Sequence, residues 1–162
     1  MNWLRQAGLA CEERALEGLA WIAHRRGRAQ LAEHLQTGLR GEQAAYFYLR
    51  RKGYVVVAHR WSSGTAPGDI DLIAWKNALL CMVEVKTRTA HDLAPAEAAV
   101  DDQKRRVLRR LARQYVHHLP QAARPAVRFD VLSVYLTPGA PKEFVHFEAA
   151  FGWSANDPDW KD

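Results

Sequence analysis

Apolar and polar positions alternate with different periods along this chain, and the periods mark out its elements. From Asn2 to His24, Leu4, Ala7, Cys11, Ala15, Leu19 and Ile22 recur at spacings of three and four, which predicts an amphipathic helix. A second helical stretch, Ala29–Gln36, leads to Gly38. From Gly41 to Gly53, Glu42, Ala45, Tyr46 and Leu49 fall on one stripe, and Gly53 is a natural helix stop. Tyr54–His59 is β-branched and apolar and reads as a strand. The Ser-, Gly- and Pro-containing run Arg60–Gly68 reads as a loop. Two apolar strands follow, Asp69–Trp75 and Ala78–Lys86, turning at Lys76-Asn77. A short helical piece around Ala94–Val100 precedes a longer helix, whose stripe is Val107, Leu108, Leu111, Ala112 and Tyr115 and which ends at Pro120. Val127–Leu136 and Phe144–Phe147 are further strands. Three consecutive strands before a crossover helix predict an α/β fold with a mixed sheet, not a doubly wound parallel one.

The central hairpin, IDLIAWKNALLCMVEVK from Ile70 to Lys86, carries charges where its pattern predicts burial. Asp71 interrupts the first apolar run; Glu84 and Lys86 interrupt the second. With a two-residue turn at Lys76-Asn77, Asp71 faces Met82 and Asp69 faces Glu84. Asp71, Glu84 and Lys86 then share one face, with the two acids diagonal neighbours about 7–8 Å apart at the backbone. Two converging carboxylates repel unless a cation or proton sits between them. An open all-oxygen site favours Mg²⁺ or Mn²⁺, and such an ion activates water and neutralises a phosphate. Lys86 is placed to serve the same phosphate. The plainer alternative is a salt bridge between Asp71 and Lys86 in a sheet with one solvated face.

Composition and charge narrow the picture. The 162 residues carry a formal charge of +5, which fits one domain with a substantial core and leans towards a polyanionic partner. Cys11 and Cys81 are the only cysteines, too few for a zinc cluster, and Cys81 is expected to be a buried free thiol. No apolar run is long enough for a membrane span, and Glu12, Glu13 and Glu17 break up the N-terminal region; a soluble cytoplasmic protein is expected. The seven histidines show no ligand spacing. Lys104, Arg105, Arg106, Arg109, Arg110 and Arg113 crowd one helix without an intervening acid, a flank suited to phosphates or a solvated face. Lys104 lies one turn before Leu108 and is placed to point back towards the sheet. Trp61 is a candidate for stacking on a base or for burial. Asp130 is expected to pair with Arg128.

The hairpin resembles the PD-(D/E)xK motif of restriction-endonuclease-like nucleases. The segments GLRGEQAAYFYLRRKGY, GDIDLIAW, MVEVKTR, RFDVLSVYL and HFEAAF, from Gly38 to Phe151, more closely resemble the YraN-like family of predicted endonucleases. That resemblance implies a three-layer α/β/α restriction-endonuclease-like fold with a mixed central sheet. The division it suggests is an N-terminal helical extension (1–36), a nuclease domain (37–152) and a polar tail (153–162). It implies Mg²⁺ or Mn²⁺ on Asp71, Glu84 and the Val85 carbonyl, catalysis by these acids with Lys86, and a helix-borne Glu42. Glu42 is either a further ligand or a favourable acid at a helix N-terminus. It also implies that Gln103 or Lys104 assists the site; with the basic run, the expected nucleic-acid-binding residues are Lys104, Arg105, Arg109, Arg113 and Gln103, with DNA favoured over RNA. Homodimers are common among junction-cleaving nucleases. Asp69 and His59 depart from the family's usual glutamate and asparagine, and roughly the first 30 residues lie outside its pattern. Two rivals remain: a non-catalytic nucleic-acid-binding module of the same fold, and a membrane or partner docking role for the N-terminal helix and Arg25–Arg28.

Overall fold

The computed structural model describes residues 12–15, 33–90, 100–121 and 124–154. Its elements run α1 (Glu33–Arg51), β1 (Val55–Trp61), β2 (Ile70–Lys76), β3 (Leu79–Arg88), α2 (Asp102–His117), β4 (Ala126–Tyr135) and β5 (Glu143–Phe151). The five strands form one sheet in the order β1-β2-β3-β4-β5. Only β3 and β4 are parallel; the other pairs are antiparallel. The mixed sheet expected from three strands before a crossover helix is therefore present, with α2 as the crossover.

Strand alternation sends side chains to two separate cores. On one face, Ala44, Ala45 and Leu49 of α1 pack with Leu72, Ala74, Cys81, Val83, Leu132 and Val134. On the other, Leu108, Leu111, Ala112 and Val116 of α2 pack with Ile73, Leu80, Met82, Phe129 and Val131. The result is a three-layer α/β/α sandwich. Cys81 is a buried free thiol, as expected.

The helix ends follow their local chemistry. Asp101 caps α2, its carboxylate accepting from the Lys104 N–H at 2.7 Å. Gly53 takes φ +84° just past α1, a left-handed stop that costs glycine little. Gly38 does not break the chain: the stretches expected on either side of it form one helix over the described residues. Gly41 is buried in that helix, and a Cβ there would collide with Thr87 of β3. Both glycines read as punctuation in the sequence, but at Gly41 the missing side chain is a packing device.

The hairpin turn sits one residue later than expected, at Asn77-Ala78, because Asn77 takes the positive φ (55°) that asparagine tolerates best. Lys76 stays in the strand, its ammonium 4.8 Å from the centroid of the Tyr54 ring. The pairs run from Lys76↔Leu79 to Leu72↔Val83. One further step of this register sets Asp71 directly across from Glu84. Pairing has moved by two positions, so every residue keeps its face. β5 is longer than the predicted Phe144–Phe147, because a bulge near Asp130, with Ala149 at φ 53°, breaks the alternation that marks a strand.

Of the predicted N-terminal helix, only residues 12–15 are described; they are helical, and Glu12 and Glu13 pair with Arg50 and Arg51 at 2.7 and 2.6 Å. The remainder of that helix, the run Arg25–Arg28, the piece before Val100 and the last eight residues lie outside the described residues. Among the described residues, no helix is long and apolar enough to cross a membrane.

Candidate active site

β2 and β3 bring their carboxylates together at one end of the sheet. Asp71 accepts from the Val85 N–H through Oδ2 at 2.7 Å. Glu84 is 4% exposed, and its Oε1 takes the Lys86 ammonium at 2.9 Å. The expectation that Asp71, Glu84 and Lys86 share a face holds. Lys86 pairs with Glu84 here, so a simple Asp71–Lys86 bridge does not account for the lysine.

The environment makes two negative charges costly. Burial, reinforced by the Glu84 charge, pushes the Asp71 carboxyl up to about 7, although the Val85 N–H and Lys104 act in the opposite direction. Lys104 reaches in from α2, its Nζ 3.0 Å from Glu84 Oε2 and 3.4 Å from the Asp69 carbonyl. Burial alone would lower the Lys104 ammonium's pKa; the Glu84 carboxylate more than offsets this and raises it. Glu84 Oε2 is buried with no aligned hydrogen-bond donor among the described residues.

These groups open on a cleft of about 880 Å³. Its lining includes Asp71, Glu84, Val85 and Lys86, with Glu42 and Thr37 contributed by α1. Glu42 lies well inside α1, so the helix N-terminus reading of this acid falls. His59 Nε2 holds it at 2.8 Å, and Arg60, at φ 50°, lies 3.9 Å from Glu42 and 3.6 Å from Asp69. Sequence reasoning does not foresee this rim. Its members come from α1, β1 and the loop before β2, and no spacing links them.

Among the described residues, no group of three or more His, Cys, Asp or Glu side chains is placed to hold a metal by itself. The donor set nevertheless fits a hard divalent cation. Mg²⁺ is commonly held by one or two carboxylates, with water and substrate phosphate completing its shell. Facing carboxylates, one of them with a raised pKa, are the groups such an ion would relieve.

The basic residues of α2 divide by side. Lys104 joins the acidic cluster. The guanidiniums of Arg105 and Arg109 lie 5.7 and 5.5 Å from the Phe151 ring centroid, and Arg113 lies 5.7 Å from that of Trp153. Arg109 also donates to the Gly152 carbonyl at 2.8 Å. Gln103 lines a second concavity, with Arg106, Arg109, Arg110 and Arg113. Trp61 ends β1 partly buried, edge-on to Tyr115 at 5.2 Å; it is a packing residue. Asp130 takes two hydrogen bonds from Arg128, both 2.8 Å, as the sequence suggested.

A model described as "Uncharacterised protein family UPF0102" matches residues 41–134, a span containing Glu42, Asp71, Glu84, Lys86 and Lys104. A UPF0102 protein of Koribacter versatilis is 47% identical over 119 residues, covering 74% of this chain and 81% of the relative. One from Solibacter usitatus is 46% identical over 96 residues, with coverage of 59% and 72%. One from Porphyromonas gingivalis is 41% identical over 122 residues, with coverage of 75% and 87%.

Proposed function

The chain belongs to the UPF0102 family, and from the geometry of its cleft we propose that it is a metal-dependent nuclease of the PD-(D/E)xK type, hydrolysing phosphodiester bonds in DNA. The observation that carries this reading is the pairing of Asp71 with Glu84 across β2 and β3, with Lys86 two residues on, in an open cleft. Asp71, Glu84 and the Val85 carbonyl would hold Mg²⁺ or Mn²⁺. When bound, such an ion supplies an acidified water and neutralises charge on the scissile phosphate.

The chain's own groups do the rest. Glu84 holds the Lys86 ammonium at 2.9 Å, where it can orient the attacking water or meet a non-bridging phosphate oxygen. Lys104 lies on the other oxygen of the same carboxylate and adds a second positive charge at the site. The Val85 N–H fixes the orientation of the Asp71 carboxylate. Glu42, held by His59, stands at the rim of the cleft as a further acidic group.

The test is incubation with branched, duplex and single-stranded substrates in Mg²⁺, Mn²⁺ or EDTA. Metal-dependent cleavage is expected. Asp71→Asn and Glu84→Gln should each abolish it while leaving nucleic-acid binding largely intact. Cleavage at the wild-type rate by either purified variant would remove these carboxylates from the mechanism. Binding by the wild type with no cleavage of any substrate would favour the non-catalytic binding module.

A further inference from the structure

The outer side of α2 forms a second concavity, about 600 Å³ in volume, between the loop after β1 and Ser154. Gln103, Arg106, Arg109, Arg110 and Arg113 line it, and among the described residues no acidic side chain does. Among the described residues, Arg106 has no acidic partner. Arg106 and Arg110, four residues apart on the helix, repel one another, which a bound anion would relieve.

The wall is built rather than loose. Arg110 Nη2 donates to the Pro67 carbonyl at 3.1 Å, and Gln114 reaches Thr65 Oγ1 at 3.4 Å. Gly68 takes φ +97°, and a Cβ there would stand 2.7 Å from Val107 Cγ1. Glycine thus lets the loop sit directly on α2.

Lys104, the residue after Gln103, turns inward to Glu84, so the helix that lines this concavity also reaches the acidic cluster. From Gln103 to Arg113 the helix rises about 15 Å at 1.5 Å per residue. That matches roughly four nucleotides of a B-form strand at 3.4 Å each. Sites for single strands combine a basic groove with aromatic rings on which bases stack. The rings beside this groove, Phe151 and Trp153, are already packed on Phe129, each at 4.9 Å.

We propose that this groove binds the phosphodiester backbone of duplex DNA flanking the scissile phosphate, so that the substrate carries a double-stranded arm along α2. The proposal rests on the nuclease reading for its substrate, but its test needs no cleavage.

Fluorescence polarisation in EDTA, across a salt series, would compare a labelled blunt DNA duplex with a single strand of equal length. Wild type should prefer the duplex. Arg106→Gln/Arg110→Gln should lose tenfold or more of its duplex affinity. Its log–log salt slope should flatten by about two, near 0.9 for each phosphate that is no longer neutralised. Arg106→Lys/Arg110→Lys, which keeps the charge, should retain most of the slope. Lys142→Gln, which removes one charge beside Glu13 on the α1 side, should leave the slope unchanged. The proposal is overturned if wild type binds no duplex or the Gln variant keeps the wild-type slope. It is also overturned if the Lys variant loses as much as the Gln variant, or if single-strand binding falls as far as duplex binding. Duplex binding with these responses but no cleavage in Mn²⁺ would leave the groove standing and remove the nuclease reading.

Discussion

The Asp71 carboxyl shows how a candidate site is written into a fold at a thermodynamic cost. In the unfolded chain an aspartate ionises near pH 3.9. In the fold, burial and then the Glu84 charge raise Asp71 to about 7. Between those values the native state holds a proton that the unfolded state has lost, so this residue's contribution to stability falls as pH rises from about 4 to 7. Asp71→Asn, permanently neutral, escapes that penalty. In EDTA the variant should be more stable than wild type at pH 7–8 by roughly 1–3 kcal/mol, an upper range reduced from the full linkage value. At pH 4 the two should converge. Mn²⁺ should raise the wild-type melting temperature and move the variant much less. Melts in EDTA and in millimolar Mn²⁺ decide it; a variant melting below wild type at pH 8, with neither protein shifted by Mn²⁺, would leave the hairpin as structure alone. The shared face of Asp71, Glu84 and Lys86 was readable from alternation. Their direct opposition was not, because it depends on which two residues make the turn. Nor was the Glu42–His59 pair, which requires knowing how α1 packs against β1.

At the scale of elements, the first four strands and α2 were legible because their apolar periods are strong and their breakers sit at the ends, whereas the bulge hid the second half of β5. The helix α1 was legible only in pieces, because a glycine in a sequence cannot reveal whether it ends a helix or admits a neighbour. At Gly41 it admits Thr87, whose Cβ and Cγ2 would each lie 2.8 Å from an added Cβ. Alanine would favour the helix intrinsically by about 1 kcal/mol. The collision should outweigh that, since overpacking a tight contact costs typically 1–3 kcal/mol. Gly41→Ala is therefore expected to lower stability by about 1–2 kcal/mol and, because Thr87 also lines the cleft, to reduce activity. The added cost should shrink in a Thr87→Gly background, a coupling that chemical denaturation of the four proteins would measure. Equal stability of Gly41→Ala and wild type would mean that α1 and β3 are not locked together at this point.

Over the whole molecule, what joins the last strand to the rest is polar as well as apolar. Asp130, fully buried in β4, accepts from Arg128, from the Ala149 N–H at 3.0 Å and from His146 at 3.1 Å. Arg128 continues to the Tyr54 hydroxyl at 2.9 Å and to Glu148 at 2.8 Å. One carboxylate therefore ties β4, the bulge of β5 and the chain just beyond α1 into a single network. The sequence suggested the Arg128 pair because both residues lie on one strand face. It did not suggest the bulge, whose Ala149 N–H donates to this carboxylate. Burial alone would raise the Asp130 pKa, but the hydrogen bonds from His146, Arg128 and Ala149 hold it below the usual carboxylate value. A lowered folded pKa means that its contribution is complete above the unfolded value, near 4, and is lost as pH falls through the folded one. Breaking such a buried pair typically costs about 3–5 kcal/mol, because the partner is left charged and unpaired. Asp130→Asn, which keeps the shape and part of the hydrogen bonding, should fall near the lower end, at about 3 kcal/mol at pH 7. Its deficit relative to wild type should narrow steadily below about pH 4, as the wild-type carboxylate also becomes neutral. Urea unfolding at pH 7, 5 and 3 measures that gap. A deficit that stays constant over this range would show that Asp130 acts through its shape and not its charge.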